Sequence, residues 1–155
     1  MQDTLTAAYE LPKILLSYKS KVKPSLLPSI SCSKDAYAVL IKSWEPTQID
    51  LKEEFKILLL NRSNKVIGQY KVSSGGSTST IVDPKLVLAA AINSNACGII
   101  LAHNHPSGSL KPSQADIKLT KKISDGARLF DIAVLDHVIV TSEGYFSFAD
   151  EGLLD

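Results

Sequence analysis

The chain has 155 residues but only two cysteines, and aromatic side chains make up just 6% of it. Cys32 and Cys97 lie far apart with no C-x-x-C spacing, which excludes a disulfide framework and predicts a cytoplasmic protein with reduced thiols. No apolar run approaches the ~20 residues that cross a bilayer, and Met1-Gln2-Asp3 does not open a charged-then-apolar signal peptide, so no membrane partner is expected. A dominant charge sign is also missing. The net charge is +1 and the pI about 7.7, which gives no electrostatic footprint for nucleic acid. The few aromatics argue equally against a base-stacking groove. A nucleic-acid partner is therefore unsupported by charge. What is present, 45% hydrophobic and 21% charged residues without an internal repeat, is the make-up of a globular domain with a real core.

Residues 1–10 show no clear period. Within 11–23, Leu16, Tyr18 and Val22 share one parity, and Ser17, Lys19, Lys21 and Lys23 the other, which predicts a strand at a lysine-guarded sheet edge. Pro24 and Pro28 mark a loop, and residues 1–34 read as an extension ahead of a domain at 35–155. Ser33 is placed as the cap of a helix over 34–44, with Tyr37, Val39, Leu40 and Ile41 as its apolar residues. Strands are expected at 53–60 and 65–72 around a turn at Asn61-Arg62-Ser63-Asn64, followed by a flexible loop over 73–80. Asp83-Pro84 begins a helix reaching Asn93. An apolar strand over 97–102 follows, with Cys97 as a small core residue. A helix from Ser113 to about Phe130 has Ile117, Leu119, Ile123 and Leu129 as inward candidates. Strands over 132–141 and 145–148, separated by a turn at Gly144, complete a mixed α/β arrangement of a sheet with helices packed on it.

The chemistry concentrates where the apolar strand ends, at Leu101-Ala102-His103-Asn104-His105-Pro106. Alternate residues of a strand share a face, so His103 and His105 point the same way roughly 7 Å apart along the backbone. Pro106, Gly108 and Pro112 turn the chain, and Asp116 falls one turn into the next helix. Two imidazole nitrogens and a carboxylate oxygen leave a tetrahedral Zn²⁺ one open position, the pattern of a catalytic site. Ser113 and Asp116 are equally readable as a helix start, Ser113 as N-cap and Asp116 facing the positive end of the dipole. A hydrolytic water also needs a proton acceptor. Glu53 shares parity with Phe55, Ile57 and Leu59 and is placed inward; Glu54 shares parity with Lys56 and is placed toward solvent. Glu53 is therefore chosen, with Glu54 returning if the strand is buried on both sides. His137, in the apolar run Leu135-Asp136-His137-Val138-Ile139, reads as a buried hydrogen-bonded histidine or as one that orients a zinc ligand.

His103-Asn104-His105-Pro106-Ser107-Gly108, then Pro112-Ser113, Asp116, Leu135-Asp136-His137 and Tyr145-Phe146-Ser147, resembles the RadC family of the JAB/MPN metalloprotease superfamily, whose signature is an upstream Glu, H-x-H and S-x-x-D. The match runs over about residues 35–153. It implies a cytidine-deaminase-like α/β/α sandwich with one Zn²⁺. It also implies His103, His105 and Asp116 as ligands, Glu53 as general acid/base and Ser113 as the hydroxyl that steadies an oxyanion. The implied activity is JAMM-type hydrolysis of a peptide or isopeptide bond in a peptide or protein substrate. Two other functions stand beside it, a zinc-dependent nucleic-acid-processing protein associated with DNA repair and a non-catalytic protein-binding domain. The family usually carries an N-terminal helix-hairpin-helix region, for which the residues ahead of the match leave no room.

Overall fold

The computed structural model describes residues 12–15, 17–76 and 80–154. Five strands form one mixed sheet in the order β2-β1-β3-β4-β5: β1 (Glu54–Leu60), β2 (Val66–Ser74), β3 (Gly98–Asn104), β4 (Ala133–Val140) and β5 (Tyr145–Ser147). Three helices flank it, α1 (Ser33–Ser43), α2 (Pro84–Asn93) and α3 (Gln114–Arg128). Strand β1 is antiparallel to both β2 and β3, whereas β3 and β4 are parallel and joined through α3. A parallel pair needs such a crossover, and this one sets the helix start beside the end of β3.

Both faces of the central strands are covered. On one side Leu58, Leu60, Ile100, Ala102 and Val138 pack with Ala36, Leu40 and Trp44 of the α1 region. On the other, Phe55, Ile57, Ile99 and Leu101 pack with Val87 and Ala91 of α2 and Ile123 and Ala127 of α3. The result is a helix–sheet–helix sandwich, the expected α/β fold.

Local chemistry explains most boundaries. The Asp83 side chain accepts the Lys85 N–H at 2.9 Å, with Pro84 at the first helical position. Asn61 Oδ1 accepts the N–H groups of Ser63 and Lys65, and Asn64 takes φ 54°, closing the β1–β2 hairpin. Gly108 sits at φ 79° in the turn after the histidines, with its N–H on the His105 carbonyl, a conformation that glycine adopts without penalty.

Several expectations are corrected. No strand forms among the described residues of 12–23; Leu11 and Leu16 lie outside them, as do residues 1–10. Tyr18 donates to the Ile67 carbonyl at 2.6 Å, which sets this segment beside β2, itself an edge of the sheet. Ser33 is the first residue of α1, and its hydroxyl bonds to Asp150 and Tyr145 instead of capping. Strand β2 extends through Ser74, so part of the expected loop is ladder; residues 77–79 lie outside the described set. Cys97 is exposed because β3 begins after it, at Gly98. Leu129 follows the last residue of α3 and is 82% exposed, since the inward stripe is Thr120, Ile123 and Ala127.

Candidate metal centre

β3 delivers His103 buried and His105 half-buried at its carboxyl end, and α3 brings Asp116 opposite them. His103 Nε2 lies 3.0 Å from His105 Nε2 and 3.4 Å from Asp116 Oδ1; His105 Nε2 is 4.0 Å from Asp116 Oδ2. One ligand atom from each of the three residues falls within 4.8 Å of the others. Ligands about 2.0 Å from a tetrahedral zinc lie ~3.3 Å from each other, so these separations fit a shared cation.

The hydrogen bonds around the site make the same demand. His105 Nδ1 sits 2.7 Å from the Ser109 carbonyl, which can only accept, so Nδ1 carries the hydrogen and Nε2 of the neutral ring presents a lone pair. His103 Nδ1 is 2.8 Å from His137 Nε2, leaving His103 Nε2 directed at His105 and Asp116. Burial pushes the His103 imidazole down to about 4, despite the Asp116 carboxylate beside it. A neutral ring is the form that binds a metal. With both rings in the neutral, metal-binding form, two lone pairs and a carboxylate face one point, where a shared cation would relieve their repulsion.

Asp116 is itself held. The Ser113 backbone N–H and hydroxyl both donate to its Oδ2, at 2.6 and 2.7 Å, while Ser113 Oγ accepts the Asp116 N–H at 3.1 Å. This is a full capping box, so the helix-start reading of Ser113 and Asp116 is realised. It leaves Oδ1 on the histidine side, 3.4 Å from His103 Nε2, so capping the helix does not take Asp116 out of the group that could hold a metal.

Glu53 precedes β1 and is clamped through its backbone, its N–H on the Gly76 carbonyl and its own carbonyl on the Gly75 N–H. Its Oε1 accepts the Thr80 N–H at 3.3 Å. Burial raises its carboxyl above the ordinary range; a charge on His105 opposes that shift and the Asp116 carboxylate adds to it. Glu54 corrects the solvent assignment, because β1 is buried on both sides and Glu54 is 4% exposed. Its carboxylate lies 3.3 Å from Lys56 and 3.2 Å from Lys71, and the Lys56 ammonium covers the Trp44 ring. Glu54 is thus committed to an ion-pair cluster on the α1 side, opposite the face that carries His103 and Asp116.

Sequence reasoning missed two residues. Asn104, fully buried between the two histidines in sequence, accepts the Glu54 N–H at 2.8 Å and donates to the Ile49 and Lys52 carbonyls at 2.6 and 2.9 Å. It ties the end of β3 to the segment that carries Glu53. Thr120 sits between the Asp116 carbonyl and His137, with 2.6 Å contacts to each. The available signal was a polar residue at an inward position of a strand or helix otherwise lined by apolar ones. His137 is buried and hydrogen-bonded, and its Nε2 lies 2.8 Å from Nδ1 of the candidate ligand His103.

A sheet sandwiched between helices, with two histidines and an aspartate gathered at a strand end, defines an α/β protein with a candidate divalent-metal centre. The family model for the RadC-like JAB domain matches residues 30–153, and the chain belongs to that family. It is 47% identical over 128 residues to a UPF0758 protein of Flavobacterium johnsoniae, covering 82% of this chain and 54% of that one. A UPF0758 protein of Porphyromonas gingivalis is 41% identical over 97% of this chain and 64% of its own length. The UPF0758 protein YfjY of Escherichia coli is 45% identical over 66% of this chain and 64% of its own. The chain therefore spans between about half and two thirds of these relatives. Among the described residues no helix is long and apolar enough to cross a membrane.

Proposed function

We propose that the chain is a zinc-dependent hydrolase of peptide or isopeptide bonds. The observation that carries the reading is the convergence of two imidazole lone pairs and a carboxylate on one point, with a carboxyl of raised proton affinity on the same side of the sheet. His103, His105 and Asp116 would hold the cation. When bound, zinc supplies a Lewis acid and a water whose pKa is lowered toward neutrality.

Glu53 takes a proton from the attacking water as the new C–O bond forms. It returns that proton to the leaving nitrogen as the C–N bond breaks. Its raised proton affinity suits a group that must both accept and donate near neutral pH. Ser113 is exposed at the same helix start, and its hydroxyl, engaged with Asp116 Oδ2 in this structure, becomes the donor to the developing oxyanion when it turns toward the substrate.

The test pairs turnover with metal content. Wild-type protein reconstituted with zinc should cleave members of a panel of peptide- and isopeptide-linked fluorogenic substrates. Glu53→Gln should lose about 100-fold or more of that rate with zinc content unchanged. Undiminished cleavage by the variant would remove Glu53 from the reaction. A zinc-loaded wild type that cleaves neither bond would favour the non-catalytic protein-binding reading.

A further inference from the structure

Behind the candidate ligands lies a chain of hydrogen bonds that joins β3, β4 and α3. It runs from His103 Nδ1 to His137 Nε2 at 2.8 Å, from His137 Nδ1 to Thr120 Oγ1 at 2.6 Å, and from Thr120 Oγ1 to the Asp116 carbonyl at 2.6 Å. Thr120 and His137 are 1% and 0% exposed, so the middle of the chain lies in the dry interior.

The directions of these bonds follow from the Asp116 end. A carbonyl oxygen only accepts, and the Thr120 hydroxyl has one hydrogen, so that hydrogen goes to Asp116. Thr120 Oγ1 is then an acceptor toward His137, and His137 Nδ1 must carry the hydrogen. The remaining His137 nitrogen, Nε2, accepts from His103 Nδ1. His103 is left with a bare Nε2, the atom aimed at His105 and Asp116. Reversing any link places two lone pairs or two hydrogens 2.6–2.8 Å apart in a dry interior.

We propose that Thr120 is a positioning residue for the metal centre: its single hydroxyl hydrogen sets the tautomers of His137 and His103 in turn, and so presents His103 to a divalent cation through Nε2. The inference rests on reading the site as a cation site and is independent of any hydrolytic turnover. The cation it favours is one that accepts neutral imidazole nitrogen, as Zn²⁺ and Co²⁺ do.

Thr120→Val keeps the β-branched shape and removes only the hydroxyl. The His137 Nδ1–H then loses its acceptor, and the alternative tautomers put a hydrogen on His103 Nε2, where the cation must bind. Outer partners of metal-bound histidines typically contribute 10–100-fold in affinity. Zn²⁺ binding, measured by competition with a chromophoric chelator at pH 7.5, should therefore weaken by about that factor in Thr120→Val and recover in Thr120→Ser. Imidazole ¹⁵N spectra of the metal-free wild type should show His103 and His137 protonated at Nδ1 and bare at Nε2. Equal zinc affinity in Thr120→Val and wild type, or equal weakness in a folded Thr120→Ser, would overturn the proposal. If Thr120→Val does not fold, the wild-type spectra decide, and Nε2–H on either histidine overturns it. A wild type with the expected tautomers that binds no cation would instead sink the metal reading and leave the chain's tautomer assignment standing.

Discussion

His103 can accept a cation only as a neutral ring, and burial disfavours its charged form. The imidazole is held at about 4 against an ordinary 6.5, so the folded, metal-free chain binds fewer protons than the unfolded one between those values. This contribution to stability is fully present above about pH 6.5 and drains away as pH falls toward 4. The shift corresponds to about 3 kcal/mol, so urea midpoints of the metal-free protein should fall across that window. A flat profile would show that His103 is hydrated in solution. Ser113 offers a second prediction, because its hydroxyl both caps α3 and holds Asp116 Oδ2. Ser113→Ala should cost about 1 kcal/mol in thermal unfolding and weaken zinc binding as the Asp116 carboxylate is released. The same scale shows why parity misplaced Glu54. Alternation reports which face a residue is on, but not whether something covers that face.

Among the elements, the decisive one is the segment over 49–54 held by Asn104. Its three hydrogen bonds connect the strand of the histidines to the backbone that carries Glu53. Asn104→Ala leaves the Glu54 N–H and the Ile49 and Lys52 carbonyls without their partner, which should lower stability by about 3 kcal/mol in urea unfolding. Zinc should still bind, since His103 and His105 lie on the opposite face of β3, while any turnover should fall because Glu53 is displaced. A loss under about 1 kcal/mol would mean that water replaces the amide. Helices α2 and α3 were legible because their capping residues act within one turn of sequence. The expected strand over 11–23 was not, because an alternating lysine pattern fits any extended segment, including one that reaches β2 through a tyrosine hydroxyl.

Across the whole molecule the candidate centre links the carboxyl end of β3 to the amino end of α3, so a cation bound there cross-links sheet and helix. Binding that favours the folded chain stabilises it by about 2.7 kcal/mol at a free ion concentration 100 times Kd. For a domain of this size that raises Tm by roughly 5–11 °C. Zinc should produce such a rise in wild type and none in His105→Ala or Asp116→Ala, and a chelator should reverse it. The same rise in either variant would place the ion elsewhere.

Local sequence determined what depends on near neighbours: the hairpin at Asn61–Asn64, the caps at Asp83 and Ser113, the shared face of His103 and His105, and the ligand types within reach of each other. Folding alone decided what depends on distant segments meeting. It covered the second face of β1 and turned Glu54 and Lys56 inward, placed Asn104 against residues 49–54, and linked Thr120, His137 and His103 into one hydrogen-bonded chain. Pattern carries periodicity and turn chemistry because these act over a few residues. The partner of a buried polar group is chosen by long-range packing, and no local period encodes it.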